Sequence, residues 1–145
     1  MPLHPDFPIV RGLVQLTEEW SILLDQAHNK RIEKESLVLW RPGFTVWINV
    51  WGNNHGESVE SRLQWITEEA SKDVYDSRSE SKGDVHVFAY RLDEIGEGES
   101  VLSYYGYVIA PSGHLQIGIY FDLESDLETA KGVVDSVQYH APSPQ

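Results

Sequence analysis

Between Glu35 and Trp51 the chain reads ESLVLWRPGFTVWINVW, two apolar stretches on either side of Arg41-Pro42-Gly43. Past that turn Phe44, Val46, Ile48 and Val50 alternate with Thr45, Trp47, Asn49 and Trp51. This is the period of a strand that buries one face, and it predicts a β-hairpin over Leu37 to Trp51. Upstream, the apolar residues of Leu13 to Asp25 surround Thr17-Glu18-Glu19-Trp20, predicting a short strand, a turn and a second strand from Trp20 to Leu24. His28 to Lys34 is polar and charged and reads as a loop. Gly52-Asn53-Asn54-His55-Gly56 collects residues that tolerate positive φ, so the chain turns there.

From Glu57 the period changes. Val59, Leu63, Ile66, Ala70 and Val74 recur at intervals of three and four residues, which predicts an amphipathic helix from Ser58 to about Tyr75. Asp76 to Gly83, DSRSESKG, lacks large apolar groups and reads as a mobile loop. Three strands are expected next: Val85 to Leu92 and Val101 to Ala110, apolar on both faces as central strands are, and Leu115 to Phe121, which alternates. Gly96-Glu97-Gly98-Glu99 and Pro111-Ser112-Gly113 supply the turns between them. Ser125-Asp126-Leu127-Glu128 fits a capping box, with acids at the positive end of a helix dipole. The closing helix would run to about Tyr139, with Leu127, Ala130, Val134 and Val137 on one stripe and a frayed tail after it.

The predicted order is ββ(β)αβββα, an antiparallel sheet of about five or six strands with two helices packed as an α+β sandwich. A length of 145 residues suits one domain, taken as 1–145 with flexible ends at about 1–10 and 140–145. The element order, the opening Glu19-Trp20-Ser21-Ile22 and the ending AKGVVDSV from Ala130 to Val137 resemble the PsbP-like and DcrB-like superfamily. That resemblance covers most of the chain in element order. It implies a protein that binds other proteins, as photosystem accessory proteins, adaptors of bacterial toxin secretion and toxin-neutralising partners do, and it transfers no catalytic residue.

Charge narrows the choice of partner. Eleven basic residues stand against 23 acidic ones, a formal net charge of -12, so neither nucleic acid nor an anionic membrane is an expected partner. From Leu92 onward Lys131 is the sole lysine or arginine, so the acidic field is strongest in the C-terminal part. There is no cysteine, which removes disulfides and thiolate metal sites and agrees with a reducing compartment. No stretch is long enough to span a bilayer, and MPLHPDFPIVRG has neither a cationic lead nor a long apolar run. A cytoplasmic protein without a signal peptide is the expectation.

Catalytic and metal-binding signatures are absent. The six histidines, His4, His28, His55, His86, His114 and His140, have no metal-ligand spacing, and no cofactor or metal is expected. His86 and His114 fall on predicted strands and either meet across the sheet as a pair or stand as ordinary solvated strand histidines. Asp122 to Asp126 resembles the start of a calcium loop but has Leu127 and Val133 where glycine and glutamate are needed. Gly96-Glu97-Gly98 lacks the lysine of a phosphate loop, and no G-x-S-x-G is present.

The aromatic residues carry the functional expectation. If Phe44, Val46, Ile48 and Val50 face the core, Trp47 and Trp51 share the opposite face, where tyrosines of Tyr104 to Tyr107 would join them. Either a helix covers that face and the tryptophans are core, or they anchor a partner, a role that Trp and Tyr suit because they bury large area with few rotatable bonds. The primary expectation is a non-enzymatic protein-binding module, most concretely an immunity protein or inhibitor that occludes a toxin or enzyme with a basic surface. Its contacts would be Trp47, Trp51, Asp93, Glu94, Glu97 and Glu99. An adaptor or chaperone for a secreted effector, acting alone or as a homodimer, is the second expectation. The third is a small-molecule binder or enzyme with a sheet-helix pocket lined by Trp47, Tyr105 and His86.

Overall fold

Pro42 presets one turn position and Gly43 takes φ 76°, the left-handed value that the third residue of a type II turn requires. The chain therefore reverses between Ser36–Arg41 (β3) and Phe44–Gly52 (β4), with Leu39 opposite Val46 and Val38 opposite Trp47. This hairpin sits in the middle of the computed structural model, which describes residues 3–96 and 99–142, the side chains of residues 95–100 excepted. Before it come β1 (Ile9–Gln15) and β2 (Trp20–Glu33), and after it helix α1 (Val59–Glu69). Then follow β5 (Tyr75–Lys82), β6 (Val85–Arg91), β7 (Glu94–Gly96), β8 (Glu99–Ala110), β9 (Gly113–Phe121), helix α2 (Leu127–Asp135) and β10 (Gln138–Tyr139).

All pairings are antiparallel. The sheet runs β1-β2-β3-β4-β9-β8-β6-β5, while β7 adds to β8 and β10 to the start of β2. Side-chain alternation gives β6 and β8 one face for each helix. Val87, Ala89, Tyr104 and Val108 join Ala130, Val133 and Val134 of α2, together with Phe44, Val46, Ile48, Ile117 and Ile119. Phe88, Tyr90 and Ile109 on the opposite face join Ile66 of α1. The sheet also curls. The end of β2 pairs with β3, yet its start meets Tyr139, and Glu19 just before it accepts a hydrogen bond from Ser112 in the β8–β9 turn. Trp20, Ile22 and Leu24 are thereby folded over the core beside α2.

The α+β class with an antiparallel sheet and two helices is as expected, but the sheet is larger, with ten strands among the described residues rather than five or six. The unexpected strands are β5, β7 and β10, and β2 is longer than expected. His28 to Glu33 is no loop but the second half of β2, with only Lys34 of the expected loop in the turn: His28 and Asn29 are buried, and Lys30 to Glu33 pair with β3. Asp76 to Lys82 is no mobile loop but most of β5, a polar edge strand whose ladder to β6 is made by backbone. The closing helix ends at Asp135, so Gln138 and Tyr139 are free to pair with β2.

Helix boundaries moved for related reasons. Ser58 caps α1, its hydroxyl accepting from the Ser61 amide, but the helix stops at Glu69 and Ala70 is extended. Val74 still packs against the α1 cluster, so the apolar spacing is satisfied without helix and Tyr75 can open β5. The capping box at Ser125 does not form. Glu124 to Asp126 make a 3-10 turn, and Asp126 stands at the N-cap without a capping hydrogen bond. Those acids serve the sheet instead, Glu124 pairing with Arg91 and Asp126 with Arg41 at 3.6 Å. Among the described residues no helix is long and apolar enough to cross a membrane.

Candidate functional site

The apolar stripe of helix α1 meets Phe88, Tyr90, Tyr105, Tyr107 and Ile109 of β6 and β8, and the helix reaches β4 and β9 only at their Gly52 and His114 ends. The rest of the β4 and β9 surface stays open. Register defines what is displayed there: Val38, Trp47, Gly118, Tyr105 and Tyr90 form one row across the sheet. Asn49 and Gln116 stand in the next row on one side, Thr45 and Tyr120 on the other. Glycine in the middle of the aromatic row lets the Tyr105 ring lean over it, since a Cβ at Gly118 would lie 3.1 Å from Tyr105 Cε1. Neighbouring strands lie roughly 4.8 Å apart, so Trp47 and Tyr105 flank Gly118 with about 10 Å between their backbones. The result is an open recess of about 440 Å³ lined by Trp47, Asn49, Tyr105, Gln116, Gly118 and Tyr120.

One rim of the recess ends in an acid. Tyr105 donates its hydroxyl proton to Glu94 Oε1 at 2.7 Å, and the Tyr105 and Tyr120 oxygens lie 2.5 Å apart. A phenol has one proton to give, so Tyr120 donates to Tyr105 and the chain of hydrogen bonds terminates on the Glu94 carboxylate. Burial pushes both phenols above their ordinary pKa, and the neighbouring Glu94 carboxylate adds to the rise. They stay neutral donors at pH 7. On the opposite side Arg31 lies over the Trp40 ring at 4.6 Å and the Trp47 ring at 5.7 Å, its charge offset by Glu33 at 3.0 Å.

The expected contact residues separate on this surface. Trp47 lines the recess, and Glu94 reaches it through Tyr105. Trp51 is 50% exposed at the far end of β4, stacked on His114, with its indole N–H 3.3 Å from Gln116 Oε1. Asp93 accepts from the Tyr75 hydroxyl. Glu97 lies outside the described residues, as does the Glu99 side chain, so the turn expected at Gly96 to Glu99 is described only as Gly96 pairing with Glu99. Of the tyrosines expected beside the tryptophans, Tyr105 and Tyr107 share their face, while Tyr104 points into the α2 core.

His86 does not line the recess. It is bonded to the hydroxyls of Ser79 and Ser81, and Ile109 stands between it and His114 in the same row, so the two histidines do not meet. Sequence reading passed over Gly118, Gln116 and Tyr120. The signal was present, since the inward set Leu115, Ile117, Ile119 and Phe121 assigns His114, Gln116, Gly118 and Tyr120 to the other face. The pairing of β4 with β9, which brings that set beside Trp47, joins segments more than 60 residues apart and has no local signal.

A second polar cluster holds α1 to the sheet. Arg62 is buried; its Nη1 donates to His114 Nδ1 at 2.8 Å, Nη2 donates to the Gly52 carbonyl and Asn53 Oδ1, and Nε lies 3.3 Å from Glu57. Because arginine only donates, His114 is the neutral tautomer with its proton on Nε2. Burial, reinforced by the Arg62 charge, lowers the His114 pKa from 6.5 to about 4. The Trp65 indole bonds Glu57 and, with the Ser61 hydroxyl and Arg62, holds that carboxyl below its ordinary range. Every partner in this cluster is supplied by the chain, which makes it a structural clamp. Among the described residues no group of three or more acids and histidines could hold a metal ion.

The class defined here is a curled antiparallel α+β sheet with one helix on each face and an aromatic half-face left open. A crystal structure of a protein from Bacteroides thetaiotaomicron is similar, with a TM-score of 0.69 over 91% of this chain at 12% identity. This chain spans 50% of the length of that one, and at such identity the likeness shows the fold alone. No family model and no curated protein matches the sequence.

Proposed function

We propose that the chain is a non-enzymatic protein-binding module whose open half-face receives a basic partner, with occlusion of a toxin or enzyme as its most concrete form. The observation that carries this reading is the uncovered surface between α1 and β3, where Trp47, Tyr105 and Tyr120 line a recess linked to Glu94 through the Tyr105 hydroxyl. Half-buried aromatic residues among amides are the usual anchors of a protein interface. The net charge of -12 favours a basic partner and fast, salt-sensitive encounter. The PsbP-like and DcrB-like resemblance adds the same expectation of protein binding.

The mixed aromatic and polar lining supports an inhibitor over an adaptor, which calls for a broad apolar groove. The recess is also shallow and open, whereas small-molecule sites bury most of their ligand. The test is capture from host lysate with wild-type bait, a Thr45→Arg/Asn49→Arg face variant, and Ser77→Arg on β5 as a control. A stoichiometric basic partner is expected to be held by wild type and S77R, released by high salt, and lost from the face variant. Retention by the face variant would move the interface elsewhere.

A further inference from the structure

Resting on that reading of the open half-face, we propose that the recess over Gly118 receives a single cationic side chain, a lysine or arginine presented by the partner. The recess is lined by three aromatic rings, Trp47 on one side of Gly118, Tyr105 on the other side and leaning over it, and Tyr120 two residues further along β9. Aromatic faces carry negative electrostatic potential and attract ammonium and guanidinium groups within about 6 Å. Beyond the lining, the Tyr120–Tyr105–Glu94 chain of hydrogen bonds ends in a carboxylate, and the Tyr105 bond uses one of its several lone pairs. That end is therefore an acceptor, and it suits an N–H donor rather than an anion.

The molecule already uses this surface in the same way. Arg31 places its guanidinium over Trp40 and Trp47 and is held by Glu33, so a cation of the chain itself occupies the β3 side of Trp47. The recess lies on the other side of Trp47, toward Tyr105. A neutral apolar side chain would fill the same volume but would desolvate Glu94 without compensating its charge. The net charge of -12 discriminates further against acidic side chains.

Titrating the 15N-labelled protein with N-acetyl-lysine methylamide, the arginine analogue and the uncharged norleucine analogue tests the proposal, read at the tryptophan indole N–H signals with Trp47→Phe for assignment. At least one cationic probe is expected to shift the Trp47 signal saturably, with a dissociation constant on the order of tens of millimolar, as a partly desolvated cation–π contact gives. Glu94→Gln keeps an acceptor for Tyr105 and should weaken that binding about tenfold, as expected when a charge-assisted bond is lost. Equal binding of norleucine, an unmoved Trp47 signal with every probe, or undiminished binding to E94Q would each overturn the cationic assignment. None of those results touches the docking reading, which fails instead if the Thr45→Arg/Asn49→Arg variant keeps its partner.

Discussion

Acidifying the protein from pH 7 to pH 5 should weaken it through His114. In the unfolded chain this imidazole titrates near 6.5, while in the folded chain burial and the Arg62 charge hold it at about 4. Above pH 6.5 it is neutral in both states and pH has no effect through it. Between 6.5 and 4 the unfolded chain binds one more proton than the folded one, so stability falls by about 1.4 kcal/mol for each pH unit lost. From pH 7 to 5 the loss attributable to His114 is about 2 kcal/mol, and it levels off near 3 kcal/mol below pH 4. The burial of His28 acts in the same direction and window, so a bare pH profile does not isolate His114.

The comparison that isolates it is urea unfolding of wild type and His114→Asn at pH 7, 6 and 5, followed by circular dichroism. The asparagine oxygen can accept from Arg62 in place of Nδ1, and it does not titrate. H114N should start less stable, having lost the stacking on Trp51, the edge contact with Trp65 and the tilted contact with Tyr107, but it should lose about 2 kcal/mol less on acidification. Measurement stops at pH 5 because the lowered carboxyls of Glu57 and Glu124 give up their stabilisation only below about 4.5. Parallel losses in the two proteins, or a His114 ring that titrates near 6.5 by NMR, would refute the account.

Two further outcomes follow from packing. A Cβ at Gly106 would lie 2.8 Å from both Val134 methyls, so Gly106→Ala should destabilise by about 1–3 kcal/mol, and adding Val134→Ala should recover part of the loss in thermal unfolding. Asn29, fully buried, accepts from the His4 amide and donates to the carbonyls of His4 and Phe7. Replacing it with alanine should cost about 1–3 kcal/mol and expose residues 3–8 to limited proteolysis, with a change in Trp40 emission as Phe7 leaves its ring.

The curl of the sheet explains how one face can be both packed and open. Folding the start of β2 back over the α2 side gives that side a second layer, with Trp20, Ile22 and Leu24 closing the core without α1. Helix α1 is then required only where β6 and β8 expose Phe88, Tyr90 and Ile109. The β3 and β4 part of the same face is sealed locally, Val38 being fully buried beneath Arg31 and its two tryptophans. Surface beyond that is left free for a partner.

Local chemistry alone was enough to specify the β3–β4 hairpin, the inward set of β9, that of β4 except for Val50, which is exposed near the strand end, the two-sided character of β6 and β8, and the start of α1. Each of these rests on a turn residue or a periodic apolar stripe that needs no distant partner to be recognised. What depends on distant contacts was invisible. The polar residues of β5 and of the end of β2 become strands because a neighbouring backbone pairs with them, and the acids before α2 turn toward Arg91 and Arg41 rather than capping the helix. The candidate site divides the same way. Trp47 and its outward direction are readable from alternation, whereas the recess exists because β9 pairs with β4 and β8, setting Gly118 between Trp47 and Tyr105. Side-chain period is encoded over a few residues, but strand order and register are settled by the packing of the whole sheet.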